Sequence, residues 1–275
     1  MSELLRTLGV LCEPPLPHHR AMADALALPG EARDDEYAEL FLFQLYPYGS
    51  VYLGPEGKLG GEARDRVAGF WRALGLTPPA EPDHLASLLG LYAELAEREA
   101  PQEWRRALLH EHLLSWTDPF LDRVGELAPP YHRAWAGLLR EALDVEAAAV
   151  GPLPLAPLAH RDAPSLERPE EIGGVGFLEQ LLTPVRTGFV LVRSDLVAAG
   201  RDLGLGLRVA ERRYVLEALL AQDAPATLRW LARFAERAAE RHRSEFWRER
   251  AAAAAALLAE AAGEAAQQEE VAHAR

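Results

Sequence analysis

Apolar and polar positions alternate with the period of an α-helix over most of this chain. The clearest case follows Pro82, where apolar residues recur every three or four positions: Leu85, Leu88, Leu89, Tyr92 and Leu95. This spacing places apolar side chains on one face of a helix. Strict alternation, the mark of a strand, is nearly missing. The one strand-like run, residues 189–192, is too short to be told from buried helix. The pattern therefore predicts an all-α helical bundle.

Proline, glycine and acidic residues mark the ends of the helices in the first half. We predict a helix where apolar residues with helical spacing follow a capping residue and end at proline or glycine. On this basis we predict helices over residues 34–46, 61–74, 85–98, 101–116, 120–127 and 130–148, with a break at Asp118-Pro119.

The second half begins with a change of composition. Five prolines fall between residues 151 and 169, which favours an extended linker or crossing segment. We therefore expect a helical domain over residues 1–148, a proline-rich crossing over 149–169 and a C-terminal helical extension over 170–275. In the extension we predict helices over 176–182, 194–204 and 209–220, and one long helix after Pro225. The alanine run 251–256 has high helix propensity but little to bury, so we expect a frayed tail.

Composition and charge narrow the function. The net charge is −13, from 42 acidic residues against 29 Lys and Arg. Such a chain repels phosphate backbones and attracts a basic partner. One cysteine excludes a disulfide framework and a thiolate metal cluster. No apolar run is long enough for a membrane span, and the N-terminus lacks an export signal, so we expect a soluble, cytoplasmic protein.

A loop rich in tyrosine is the sharpest local feature. Tyr46 stands at the end of a predicted helix that stops at Pro47, and Tyr48, Ser50 and Tyr52 follow it. Tyrosine combines an apolar ring with a hydroxyl that needs a partner when buried. Two interpretations stay open: the rings form a binding surface on a connecting loop, or they pack into the core.

A second feature is the sequence Pro82-Asp83-His84 at the start of the most regular helix. Asp83 stands where an N-cap belongs, and its carboxylate would accept bonds from the first backbone N–H groups of that helix. Beside it, His84 would form a pair able to bind a cation or a hydrogen-bond donor. Structural capping is the default interpretation of Asp83.

The histidines His110 and His112 do not predict a metal site. Residues two positions apart on a helix point about 200° apart, whereas a helical zinc pair needs a spacing of four. The glycine clusters at 173–176 and 204–206 lack the Gly-Lys-Ser/Thr ending of a phosphate-binding loop. They also lack the strand–turn–helix context of a dinucleotide-binding motif. We therefore expect no catalytic residue, no metal and no resident cofactor.

Four segments, taken together and in order, resemble the TorD family. They are Tyr37-x-x-Leu40-Phe41, Pro47-Tyr-Gly-Ser-Val-Tyr52, Pro82-Asp-His84-Leu and Glu111-His-Leu-x-x-Trp116-x-x-x-Phe120. The resemblance covers about residues 33–148. TorD proteins and their DmsD and NarJ relatives are cytoplasmic maturation chaperones for molybdenum redox enzymes. The resemblance implies an all-α fold, no catalysis, and binding of a twin-arginine signal peptide, the apoenzyme, or both.

The resemblance also suggests contact positions for the peptide. They are Tyr48, Ser50, Tyr52, Pro82, Asp83 and His84, with His112 and Trp116 as weaker candidates. A basic and apolar signal peptide suits an apolar groove in an acidic protein. One departure is Gly49, where many relatives carry a larger polar residue.

Two alternatives of other classes remain. One is a helical assembly protein without a chaperone role, in which the long C-terminal helix makes a homo-oligomer. The other is a hydrolase that uses Asp83, His84 and His112 with a metal. Nothing in the sequence identifies the client enzyme or decides whether the molybdenum cofactor or a nucleotide is bound.

Overall fold

The computed structural model describes residues 1–207 and 210–273, without the side chains of 272 and 273. Within these ranges the regular structure is helical, and the β pairing is a single antiparallel bridge between Tyr48 and His84. The predicted all-α fold is confirmed. The described part of the chain has no helix that combines the length and apolarity needed to cross a bilayer.

The chain divides into two compact units. Unit 1 comprises Met1–Gly54 and Lys58–Asp162, and unit 2 comprises Pro55–Gly57 and Ala163–Arg275. Residues 208, 209, 274 and 275 of unit 2 lie outside the described ranges. The domain limits proposed from proline content, at residues 148 and 169, stay a prediction.

Unit 1 is built from helices α1–α10 and two π-helical segments. In chain order they are α1 Ser2–Val10, α2 His19–Ala25, α3 Asp34–Tyr37, the π-helical segment Ala38–Gln44, α4 Gly49–Leu53, α5 Gly61–Ala73, α6 Leu85–Glu97, α7 Gln102–Ala107, the π-helical segment Leu108–Leu113, α8 Leu114–Leu127, α9 Pro130–Val150 and α10 Leu158–Arg161. The apolar stripe of α6 is fully buried, and α6 packs against α1. An aromatic cluster fills the rest of the core: Phe41, Tyr52, Trp116, Phe120 and Trp135.

The predicted break at Asp118-Pro119 is wrong, because Pro119 lies inside α8. Proline has no N–H, so the carbonyl four residues earlier, that of Ser115, lacks its usual helical donor from residue 119. The imidazole Nε2 of His160 lies 2.7 Å from this oxygen. Since a carbonyl only accepts, Nε2 carries the proton and donates. A long-range partner thus makes the proline tolerable, which no local rule foresees.

Unit 2 contains the helices α11–α16. They are α11 Pro169–Leu181, interrupted at Gly173, then α12 Pro184–Thr187, α13 Arg193–Leu203, α14 Arg212–Gln222, α15 Ala224–Arg241 and α16 Glu245–His273. The helix expected to start at Val209 begins at Arg212, and Val209 itself lies outside the described residues. Residues 189–192 form no strand with another part of the described chain. They are a buried connection between α12 and α13.

The prediction of one long C-terminal helix with an unburied alanine half is wrong. The helix ends at Arg241, and α16 packs alongside α15. Its inner face is buried in the core of unit 2, at Ala251, Ala254, Ala255, Leu258, Ala261 and Ala262. Small side chains let two helices approach closely. The alanine face of α16 is therefore buried directly against α15. The chain is helical through His273, and the end of the predicted frayed tail, residues 274 and 275, lies outside the described residues.

Candidate functional site

The two segments that the sequence singled out meet in unit 1. Tyr48 and His84 form the antiparallel bridge. The backbone N–H of Gly49 donates to the carbonyl of Asp83 at 3.0 Å, and that of Leu85 donates to the carbonyl of Pro47 at 2.9 Å. These bonds join residues 47–50 to residues 83–85. We call this junction, residues 46–52 with 81–85, the tyrosine corner.

The predicted role of Asp83 as cap of its own helix is wrong. Its carboxylate accepts from the backbone N–H of Ser50 at 3.0 Å, so it caps α4. The cap of α6 is His84, whose Nδ1 accepts from the N–H of Ala86 at 3.1 Å. Both N-termini need acceptors because their first N–H groups have no partner within the helix. The sequence placed an acceptor correctly but assigned it to the wrong helix, since a sequence shows only local candidates.

The outer part of the tyrosine corner carries a polar pair. The hydroxyl of Tyr48 donates to Oε2 of Glu81 at 2.8 Å, and its ring meets the His84 ring edge-on at 4.7 Å. Burial, and then the bond to Glu81, raises the pKa of Tyr48. Burial lowers the pKa of His84, against the smaller opposite effect of Glu81 and Asp83. His84 is thus neutral at pH 7, as its acceptor role at Nδ1 requires.

Several predicted contact residues lie inside the protein. Tyr52 and Trp116 are fully buried and stacked, with ring centroids 5.2 Å apart. Ser50 is 1% exposed, and its Oγ accepts from the N–H of Gly60 at 3.1 Å. Pro82 is buried as well. These side chains support the tyrosine corner from below, so the core interpretation applies to Tyr52.

The absence of a side chain at Gly49 has a steric reason. A Cβ at this position would lie 3.0 Å from Nε1 of Trp116, which is closer than ordinary van der Waals contact. That indole N–H donates to the carbonyl of His112 at 2.8 Å, which holds the ring in place. This close approach leaves little room for a larger side chain at position 49.

The two histidines of the third segment have separate surroundings. His110 Nε2 contacts the carbonyl of Gly151 at 2.9 Å, whereas His112 is buried against the ring of Phe70, 4.9 Å between centroids. Burial, with a smaller effect of Arg66, lowers the pKa of His112 to about 4. The cavity beside His112 measures about 10 Å³, room for about one water.

The set proposed for a metal hydrolase does not assemble. Among the described residues, Asp83, His84 and His112 do not converge on one point as a group of metal ligands would. Asp83 and His84 each use a side-chain atom as a helix cap. The hydrolase alternative therefore has no geometric support from these three residues.

An exposed apolar surface that the sequence pattern did not predict adjoins the tyrosine corner. Leu42 is 48% exposed, Phe43 63% and Tyr46 36%. Leu42 and Phe43 lie on the π-helical segment, outside the buried stripe formed by Leu40 and Phe41. A sequence signal existed, because large apolar residues stand on both faces of that helix. We call Leu42, Phe43 and Tyr46 the apolar patch.

Two acidic side chains lie near Tyr37 and the tyrosine corner. Glu13 and Glu81 are exposed, and both raise the pKa of the neighbouring Tyr37, although burial is the main cause. Tyr37 OH lies 3.5 Å from the carbonyl of Cys12, which brings the end of α1 to this region. Acidic side chains near the tyrosine corner, which shares Tyr46 with the apolar patch, suit a peptide that is itself apolar and basic.

Comparison with known proteins gives two matches. The sequence profile of the nitrate reductase delta subunit family matches residues 16–122. The chain is 35% identical to a chaperone protein TorD from Shewanella amazonensis, over a stretch that covers 35% of this chain and 55% of the relative. The chain thus spans just over half the length of that curated relative. The matched residues 16–122 include the tyrosine corner and the apolar patch, so the similarity to these proteins falls on the segments that form both surfaces.

Proposed function

We propose that this protein is a cytoplasmic chaperone for a molybdenum-containing redox enzyme subunit. It binds the twin-arginine signal peptide of that subunit, its apo form, or both, and so assists cofactor insertion and proofreading before export or assembly. The similarity of residues 16–122 to the nitrate reductase delta subunit family, and of the chain to a TorD chaperone, supports this proposal.

The observation that carries the peptide-binding part is the exposed apolar patch, which shares Tyr46 with the tyrosine corner, where Glu81 accepts from Tyr48. Signal peptides of this class are basic and then apolar. Leu42 and Phe43 offer exposed apolar area for the second part, and Glu81 and Glu13 offer carboxylates for the first. The large acidic excess of the chain steers a cationic segment towards it.

The residues named from the resemblance divide into two groups under this proposal. Tyr48, which is half-buried, contacts the peptide together with Glu81 and the apolar patch. The others position this surface: Ser50, Pro82, Asp83 and His84 join the two segments, while Tyr52, His112 and Trp116 pack beneath them. Binding and release of a peptide need no covalent step, so the protein acts by binding and not by catalysis.

The assembly alternative loses the feature that suggested it. The apolar face of α16 is already covered in unit 2 by α15, so it is not a free surface for another copy. We therefore keep the chaperone as the single proposed function.

The test is a calorimetric titration of the full chain with a synthetic signal peptide of a molybdoenzyme encoded near it. Glu81→Gln and Phe43→Ala should each weaken binding about tenfold, the size of a contact worth 1–2 kcal/mol. The controls are Glu103→Gln and Leu155→Ala, which change exposed residues elsewhere in unit 1. They should bind as the unchanged protein does.

Two results would contradict this proposed function or its site. No binding of the peptide by the unchanged protein, with the apo form of the same client also unbound, removes the chaperone role. Equal weakening by Glu81→Gln and Glu103→Gln would show that only net charge matters and that the site is elsewhere.

A further inference from the structure

Two arginines converge on one pocket of unit 2. The pocket has a volume of about 280 Å³ and is lined by Arg186 of α12 and Arg250 of α16, among others. Both belong to the part of the chain beyond residues 16–122, so the family match does not cover them. The proposed chaperone function assigns these two residues no role.

The segment before α11 holds both guanidinium groups in place. Arg250 donates to the carbonyls of Pro164 and Ala163, at 2.7 and 3.3 Å, and to Oγ of Ser165 at 3.1 Å. Arg186 donates to the carbonyl of Ser165 at 2.9 Å. Because both bind the same short segment, the two cations are fixed as neighbours.

The charge of this pair is only partly balanced. Arg186 has an ion pair with Glu167, at 3.1 Å. For Arg250, the described residues provide neutral oxygens and the ring of Phe246, 5.2 Å from its guanidinium carbon, but no carboxylate within ion-pair distance. Burial and the nearby Arg186 both lower the pKa of Arg250, because each makes the charged form of its guanidinium less favourable. An anion between the two would stabilise that charged form.

The geometry also leaves donors for a ligand. A guanidinium has five N–H groups, and the three bonds of Arg250 occupy three of them. Two guanidinium groups with spare donors match the several oxygens of a phosphate better than a single carboxylate. The remaining wall is apolar, from Leu166, Phe246 and Leu257, while Glu249 adds one carboxylate at the exposed side.

We propose that this pocket binds a small phosphate monoester that has an apolar or aromatic body. The phosphate lies between Arg186 and Arg250, and the body lies against Phe246 and Leu257. Glu249 keeps the phosphate on the arginine side and accepts from any hydroxyl or amino group of the body. The volume limits the ligand to a compact molecule.

The test uses phenyl phosphate as the probe in titration calorimetry with the full chain. Inorganic phosphate, phenol and benzoate separate the two parts of the ligand: phenyl phosphate should bind at least tenfold more tightly than each. Arg250→Gln and Arg186→Gln should weaken phenyl phosphate binding tenfold or more. Arg250→Lys should weaken it less, since it keeps the charge but loses the planar pair of donors.

Arg248→Gln is the matched control, because Arg248 is an exposed arginine of the same helix and does not line the pocket. It should bind phenyl phosphate normally. Thermal unfolding of each variant without ligand shows whether the variant folds. If Arg186→Gln does not fold, Arg250→Lys still tests the role of the arginine pair. The inference is overturned if phenyl phosphate does not bind the unchanged protein. It is also overturned if Arg248→Gln weakens binding as much as Arg250→Gln does. Neither result bears on signal-peptide binding by unit 1.

Discussion

The carboxylate of Asp83 accepts a hydrogen bond from the backbone N–H of Ser50, thirty-three positions earlier, at 3.0 Å. Both residues are 1% exposed. A carboxylate at a helix N-terminus is stabilised by the unpaired N–H groups and by the helix dipole. Together with the backbone bonds between residues 47–49 and 83–85, this contact holds the start of α4 against the start of α6.

Replacing Asp83 should loosen that corner. Asp83→Ala leaves a buried N–H without an acceptor and should lower the free energy of unfolding by about 1–3 kcal/mol. Asp83→Asn keeps an acceptor oxygen and should cost less than half of that. Urea denaturation followed by tryptophan fluorescence measures both. If alanine and asparagine cost the same, the hydrogen bond is not the source of the stabilisation.

The contact between His160 and the Ser115 carbonyl predicts a coupled pair. His160→Ala should cost about 1 kcal/mol of unfolding free energy in the unchanged protein. In a Pro119→Ala background the new N–H of residue 119 can bond to Ser115, so the same change should cost less than half as much. The four variants of this double-mutant cycle are compared by urea denaturation. Equal costs in the two backgrounds would mean that Pro119 does not create the need for His160.

Buried His132 predicts a loss of stability in acid. The residue is 1% exposed, neither ring nitrogen has a hydrogen-bond partner among the described residues, and burial lowers its pKa to about 4. The unfolded chain takes up a proton near pH 6.5 that the folded chain refuses, so stability falls as the pH drops from about 6.5 to about 4. Between pH 7 and pH 5 this group should cost about 2 kcal/mol.

The variant His132→Phe, which keeps a ring of similar size, should remove that part of the pH dependence. Unfolding free energies at pH 7 and pH 5 are compared for the unchanged protein, for His132→Phe and for His18→Gln, an exposed histidine of unit 1. His18→Gln should leave the difference as it is. An unchanged difference in His132→Phe would place the acid sensitivity elsewhere, for example at His112, whose pKa is also lowered to about 4.

The glycine at position 188 should tolerate no side chain. It has φ +75°, and a Cβ there would lie 2.2 Å from the backbone nitrogen of Ala251 on α16. Gly188→Ala should lower the free energy of unfolding by about 3 kcal/mol, from overpacking and left-handed strain together. Gly204→Ala has the same strain, φ +67°, but open space around it, and should cost about 1 kcal/mol. Similar melting temperatures for the two variants would contradict the close approach.

Local pattern was enough to predict the most regular helices of unit 1. The stripe of Leu85, Leu88 and Leu89 predicts α6, and the structure has that helix over Leu85–Glu97. The same reasoning failed at Pro119 and at the alanine run near Ala251. In both places a distant segment, at His160 or on α15, supplies what the local sequence lacks.

The amino-acid sequence was enough to predict that the chain is helical and acidic, and that the residues around Tyr48 and His84 resemble the pattern of one family. It was enough because helix period, end signals and charge are properties of neighbouring residues. Only the tertiary structure decided that Asp83 caps another helix, that Tyr52 and Trp116 are core, and that Leu42 and Phe43 are left exposed. The reason is physical: which donor a side chain reaches and which face is covered depend on residues far away in the chain, which no local pattern contains.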